Sequence, residues 1–144
     1  MAITIKKVTL WRTEVKNKPG TLNSVLTPLA EAGADLQVVM GYRHGGGDKA
    51  VIEVSPISGK KVTAAAGKAG LAASGIPTLL VQGDNKAGLG HAIAQAIAEA
   101  GINVAFLVAQ VVDTRFSAVM GFEDEAASTQ ATALIKKAVK KIEK

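Results

Sequence analysis

Apolar and polar residues follow two rhythms along the chain. The stretch Val8–Val15 (VTLWRTEV) is rich in β-branched residues and carries the one Trp, and it predicts a strand. Asn17-Lys18-Pro19-Gly20 breaks it with turn-forming residues. Leu22, Val25, Leu26 and Leu29 then recur at i, i+3, i+4 and i+7, which predicts a helix over 21–33 with one apolar stripe. Pro28 inside it predicts a kink or a lost hydrogen bond, and Gly33 is placed to end it. ADLQVVMGYR and KAVIEV predict two strands of a hairpin around the turn HGGGD. SGKKVTAAAGKAGLAAS predicts an alanine-rich helix, weakened at Gly67 and Gly70 by roughly 1 kcal/mol each against Ala.

The same order then recurs. IPTLLVQG predicts a strand, HAIAQAIAEAG a helix with Ile93 and Ile97 on one face, INVAFLVAQVV and FSAVMGF two strands joined across DTR, and ASTQATALIKKAVKKIEK a last helix. Sliding the chain by 68 positions aligns the halves without a gap. Asn17, Lys18 and Gly20 fall on Asn85, Lys86 and Gly88. Ala30-Glu31-Ala32-Gly33 falls on Ala98-Glu99-Ala100-Gly101, Ala50-Val51 on Ala118-Val119, and Lys68 on Lys136. The expected domains are therefore residues 1–74 and 75–144. Each reads strand, helix, strand, strand, helix. This is an α+β class with helices on one face of an antiparallel sheet, in the ferredoxin-like split order that normally closes with a fourth strand. GIPTLLVQGD is short for a closing strand plus an opening one, and the second half ends on a helix. The closing strands are expected to be shared or swapped, either by opening strands serving twice or by edges pairing between units or chains.

Composition narrows the picture. Among 144 residues, 48% are hydrophobic and 3% aromatic, so the core must be built from Ala, Val, Ile and Leu. There is no Cys, which excludes disulfides, thiolate metal sites and a thiol nucleophile, and fits a reducing cytoplasm. No apolar run reaches the roughly 18 residues of a membrane span, and MAITIKKVTL lacks the apolar core of a signal peptide. The net charge of +5 is concentrated at the end of the chain. The last nine residues, KKAVKKIEK, carry five Lys and one Glu, a composition suited to a helix C-terminus. Nucleic-acid binding is disfavoured because few aromatics are available for stacking on bases.

Catalytic and metal chemistry find no footing. HGGGD joins two strands and opens no helix, so it fails the context of a phosphate-binding loop and reads as a hairpin tip. His44 and His91 have no second ligand at metal spacing. Glu123, Asp124 and Glu125 precede the last helix and suit its N-terminus. No enzyme, cofactor or metal is expected.

The segments VKNKPGTLNSVLTPLAEAGADLQVV and GDNKAGLGHAIAQAIAEAGINVAFL resemble the ACT domain family, and the likeness spans nearly the whole chain as two tandem units. The resemblance implies βαββαβ units that regulate through small molecules, many binding amino acids at an interface between units. Such units usually sit beside a catalytic domain, and this chain resembles a free-standing tandem protein. The physics of the corner agrees. A Gly there lets a ligand approach the backbone, and the first N–H groups of the helix, with its dipole, attract a carboxylate or phosphate. The expected ligand-binding residues are Asn17, Gly20, Thr21, Leu22 and Asp35 in the first unit, and Asn85, Gly88, Leu89, Gly90 and Asn103 in the second. Asp35 and Asn103, just after the helix end, are expected to lie near the corner and meet the ammonium. Some serine-binding relatives carry a ligand-contacting His two residues before the Asn. Here Val15 and Gly83 stand there, which puts serine specificity in doubt.

The leading expectation is an amino-acid-binding regulatory protein, acting as a homodimer or fused pseudodimer, with an enzyme subunit as a further partner. The alternative is a ligand-free interaction module whose corners are structural.

Overall fold

The computed structural model describes residues 2–143. The chain forms two compact units. One, the inserted unit, is Thr9–Gly75. The other, the split unit, joins the chain's opening residues through Val8 to everything from Ile76 onward. The stretch read from sequence as one strand over 8–15 is two strands. β1 (Ile3–Val8) and β2 (Trp11–Lys16) flank the Thr9-Leu10 link and enter different sheets.

The inserted unit continues with α1 (Thr21–Glu31), β3 (Val38–Arg43), β4 (Lys49–Ser55), α2 (Lys60–Lys68) and the two-residue β5 (Ala72–Ala73). Its sheet order is β3-β4-β2-β5, with every neighbouring pair antiparallel. The expectation of a helix running to 74 fails at Gly70. Its φ of +85° ends the helix, and Ala72–Ala73 pair with Trp11 and Arg12 as the closing strand. Gly33, at φ +85°, ends α1 as expected. Pro28 does not interrupt α1. Val25 and Leu29 of its apolar stripe are buried against Ile52, Val54, Ala66 and Leu71.

The split unit comprises β1, β6 (Thr78–Asp84), α3 (Leu89–Glu99), β7 (Val104–Val112), β8 (Arg115–Phe122) and α4 (Glu125–Glu143). Its order is β1-β6-β8-β7, again wholly antiparallel. The closing strand missing from the second half is thus β1, running against β6 from Ile3↔Gly83 to Val8↔Thr78. Lys7 fastens it to α4 through Glu125 (2.9 Å) and Thr129 (3.2 Å). Asp124 Oδ1 accepts from the Ala127 N–H at 2.7 Å, capping α4. The core is Leu79 and Val81 of β6, Phe116, Ala118, Met120 and Phe122 of β8, and the apolar faces of α3 and α4. In each unit helices cover one face of a four-stranded antiparallel sheet.

Each sheet has two edge strands, β1 and β7 in the split unit and β3 and β5 in the inserted unit. β7 is one edge of the split unit and is its longest strand, at nine residues. Leu107, Val108, Val111 and Val112 on it are large, apolar and about half or more exposed, Val112 to 62%. A long apolar edge with unpaired backbone groups is a template for pairing. β3 is the corresponding edge of the inserted unit and is shorter.

Candidate functional site

The repeated corner has the same backbone in both units. Gly20 and Gly88 precede α1 and α3 with φ of +88° and +86°, a left-handed conformation that favours glycine. No side chain caps either helix start. The Asn before each corner is tied to the neighbouring hairpin by its own backbone. The Asn85 N–H donates to the Thr114 carbonyl at 2.8 Å, and the Asn17 N–H donates to that of Asp48. Each corner therefore sits beside the turn at the far end of the edge hairpin.

Asp35 and Asn103 do not lie there. The chain reaches them only after descending α1 or α3, eleven residues that span about 16 Å. Next to Asp35, the Gln37 N–H bonds to the Ser55 carbonyl at the end of β4, whereas Asn17 meets the opposite end of that strand. Asn103 donates its side-chain amide to Glu123 Oε1 at 3.1 Å, beyond the end of β8. Within each unit the expected site divides into a corner group and a strand-start group at opposite ends of one helix. Sequence order alone suggests that they meet; the descending helix separates them.

The two corners differ in chemistry. In the inserted unit, Asn17, Thr21 and Leu22 line a cavity of about 280 Å³ with Lys16, Lys18 and Arg43 around it. Thr21 Oγ1 is shielded from solvent and has no hydrogen-bond partner among the described residues. Tyr42 lines the same cavity and donates its hydroxyl to Glu53 Oε2 at 2.7 Å. Burial first, and that bond second, push the Tyr42 hydroxyl above its ordinary pKa. Asp35 lies in a separate cavity with Gly33 and Gln37.

In the split unit Leu89 is a buried core residue and contributes no polar group. A cavity of about 250 Å³ instead runs along α3 beneath the β7 edge. Gly90 is at its start, Ala94 and Ala98 lie along the helix, and Asn103 and Leu107 are at its rim. Phe116 and Met120 of β8 form part of the floor. Of the expected residues, only Gly90 and Asn103 touch this space. Ala94, Ala98 and Leu107 were not anticipated. The shift by 68 marks Ala94, which it sets against Leu26; Ala98 and Leu107 fall on Ala30 and Val39 and carry no such signal.

Gly83 accounts for the residue that departs from the serine-binding pattern. A Cβ there would stand 2.2 Å from the Ala2 carbonyl oxygen and 2.8 Å from Ile3 Cα. The closing strand β1 occupies the space a side chain would need. Asp84 next to it accepts from the Ala2 N–H at 3.4 Å and from Arg115 at 2.7 Å. These bonds, Ala2 first, hold its carboxyl below the ordinary range.

Among the described residues no group of three His, Asp or Glu could hold a metal ion, and no helix is long and apolar enough to cross a membrane.

No protein-family model and no curated protein sequence matches the chain. Solved structures do. The regulatory subunit of aspartate kinase from Thermus thermophilus, in its ligand-free form, superposes with a TM-score of 0.63 at 15% identity, over 94% of this chain and 95% of that one. The chain has the tandem ACT fold. A structure of aspartokinase α and β subunits matches at 0.64 and 18% identity, over 97% and 98% of the two chains. Protein BT0572 from Bacteroides thetaiotaomicron matches at 0.72 and 13% identity, over 92% and 89%. At these identities the shared property is the fold. It extends over both ACT units and over nearly the full length of these neighbours.

Proposed function

We propose that this tandem ACT chain is a non-enzymatic regulatory protein that binds a free amino acid between two copies of itself. One observation carries the reading: the corner and the strand-start Asn stand at opposite ends of α3, on the side of the unpaired β7 edge. If β7 of one copy runs antiparallel against β7 of another about a two-fold axis, the start of one strand faces the end of the other. The end of β7 is the turn that carries Thr114, to which the Asn85 corner is bonded. Pairing therefore brings each corner to Asn103 of the partner subunit. Past the Leu89 N–H, which bonds the Lys86 carbonyl, the first turn of α3 offers its N–H groups to a carboxylate. The carbonyl of Asn103, beside the negative Glu123, suits an ammonium. The exposed apolar side chains of β7 give the pairing its driving force. Ligand would favour the paired arrangement by binding it and not the separated chains.

Complementation tests this. Asn85→Ala and Asn103→Ala chains should each lose amino-acid binding as homodimers. Mixed and re-equilibrated, they form heterodimers with one intact site, and binding at about half the normal stoichiometry per heterodimer should return. No recovery in confirmed heterodimers would contradict a site shared between copies.

A second reading, a ligand-free module that pairs with an enzyme subunit, is favoured by the same β7 edge. It predicts capture of that subunit at equal yield with and without added amino acids.

A further inference from the structure

We infer that the cavity of the split unit takes an aliphatic side chain, so that the ligand is an amino acid of the leucine, isoleucine, valine or methionine class; this rests on the amino-acid reading above. The space itself is the first observation. It holds about 250 Å³, larger than the roughly 150 Å³ of an engineered apolar cavity that stays dry and binds benzene. Its lining is Ile93, Ile97, Val104, Phe116 and Met120, with polar groups only at the two ends, Gly90 at the helix start and Asn103 at the strand start. No cation or carboxylate lines it. A Lys, Asp or Ser side chain placed inside would leave its polar atoms unpaired, which costs more than the loss of one contact.

The repeat supplies the second observation. The same fold in the inserted unit has Leu22 and Leu26 where α3 has Gly90 and Ala94. Leu26 packs against the core of that unit. The cavity there runs from the corner to Gly41, Ala50 and Ile52 of the sheet and is rimmed by Lys16, Lys18 and Arg43. At the second turn, α1 thus carries a leucine where α3 carries an alanine, and the space in the split unit has no charged side chain at its rim. The missing side chain is aliphatic, and a ligand that replaces it has the same shape. With its carboxylate at the first turn of α3, such a ligand directs its side chain along the helix past Ala94. Its ammonium is left towards Asn103 of the partner subunit.

The test is calorimetric titration of the full chain with L-leucine, L-methionine, L-lysine, L-threonine and L-serine. It is run on the native chain, on Ala94→Leu, which copies Leu26, and on Gln95→Leu, which lies on another face of α3. Leucine or methionine should bind at least tenfold tighter than the three polar amino acids. Ala94→Leu should lose at least tenfold in that affinity while keeping its circular dichroism spectrum, and Gln95→Leu should be unchanged. Should Ala94→Leu fail to fold, Ala94→Val narrows the same space with a smaller change and should weaken binding in the same direction. A polar amino acid that binds best, or aliphatic binding that survives both Ala94 variants, overturns this assignment and leaves the amino-acid reading standing. Heat from none of the five, together with no thermal stabilisation by any of the remaining standard amino acids, defeats that reading and this inference with it.

Discussion

Leu26 and Ala94 occupy one position of the repeat, and their side chains meet different surroundings. Leu26 packs with Val25 and Leu29 on the core side of α1, while Ala94 faces an open cavity under β7. Exchanging the two should move stability in opposite directions. Leu26→Ala should cost about 2 kcal/mol, the low end for removing a leucine side chain, because Leu26 is only partly buried. Ala94→Leu should raise the melting temperature by a few degrees, since it buries apolar surface in existing space. Thermal melts of the two single variants check both signs.

Gly83 and Gly90 should respond oppositely to the same change. Gly83→Ala puts a methyl group 2.2 Å from the Ala2 carbonyl oxygen, a backbone atom that can move only with β1. The expected loss is about 2 kcal/mol, with weakened protection of the β1–β6 amides in hydrogen exchange. Gly90→Ala meets nothing within 4 Å and lies within α3, so it should gain up to about 1 kcal/mol from helix propensity.

Asp84 should make a small part of the stability depend on acid pH. Its folded pKa is lowered by the Ala2 N–H and Arg115, so the contribution is present above the unfolded value of about 3.9. It is lost as pH falls through the lower folded value. Because the carboxylate is exposed, the effect is modest. Melting curves of native chain and Asp84→Asn should differ at pH 6 and converge as the pH drops below about 4. A gap that is constant over this range would show that the pairing with β1 does not rest on the charge.

Much of this fold was legible in the residues. The 68-residue shift, the 3.6-residue stripe of α1 and the alternation of the strands gave the unit order, the antiparallel sheets and the corner glycines. What escaped was set by contacts distant in sequence. Nothing local marks Thr9-Leu10 as a break between sheets, because Val8 and Trp11 are both good strand residues and the choice depends on β6 being free to receive β1. Ala72–Ala73 look helical by composition, and only Gly70 and the open edge of β2 make them a strand. The site was misread for a related reason. Asn85 and Asn103 sit at the ends of one helix, and sequence order does not show that an eleven-residue helix carries the chain to the opposite end of the sheet. In the sequence the cavity shows only as a mismatch between repeats, Ala94 against Leu26, and not among the residues the repeats share.

The most direct measurement is the melting temperature of the native chain, Asn85→Ala and Asn103→Ala with each of the twenty amino acids at millimolar concentration. At about 100 times its dissociation constant, a ligand adds roughly 2.7 kcal/mol and should raise the native midpoint by several degrees. The expected result is a shift with a subset of amino acids, abolished by either Asn variant. No shift with any of the twenty would mean that the repeated corner serves the architecture alone, and would contradict the proposed function.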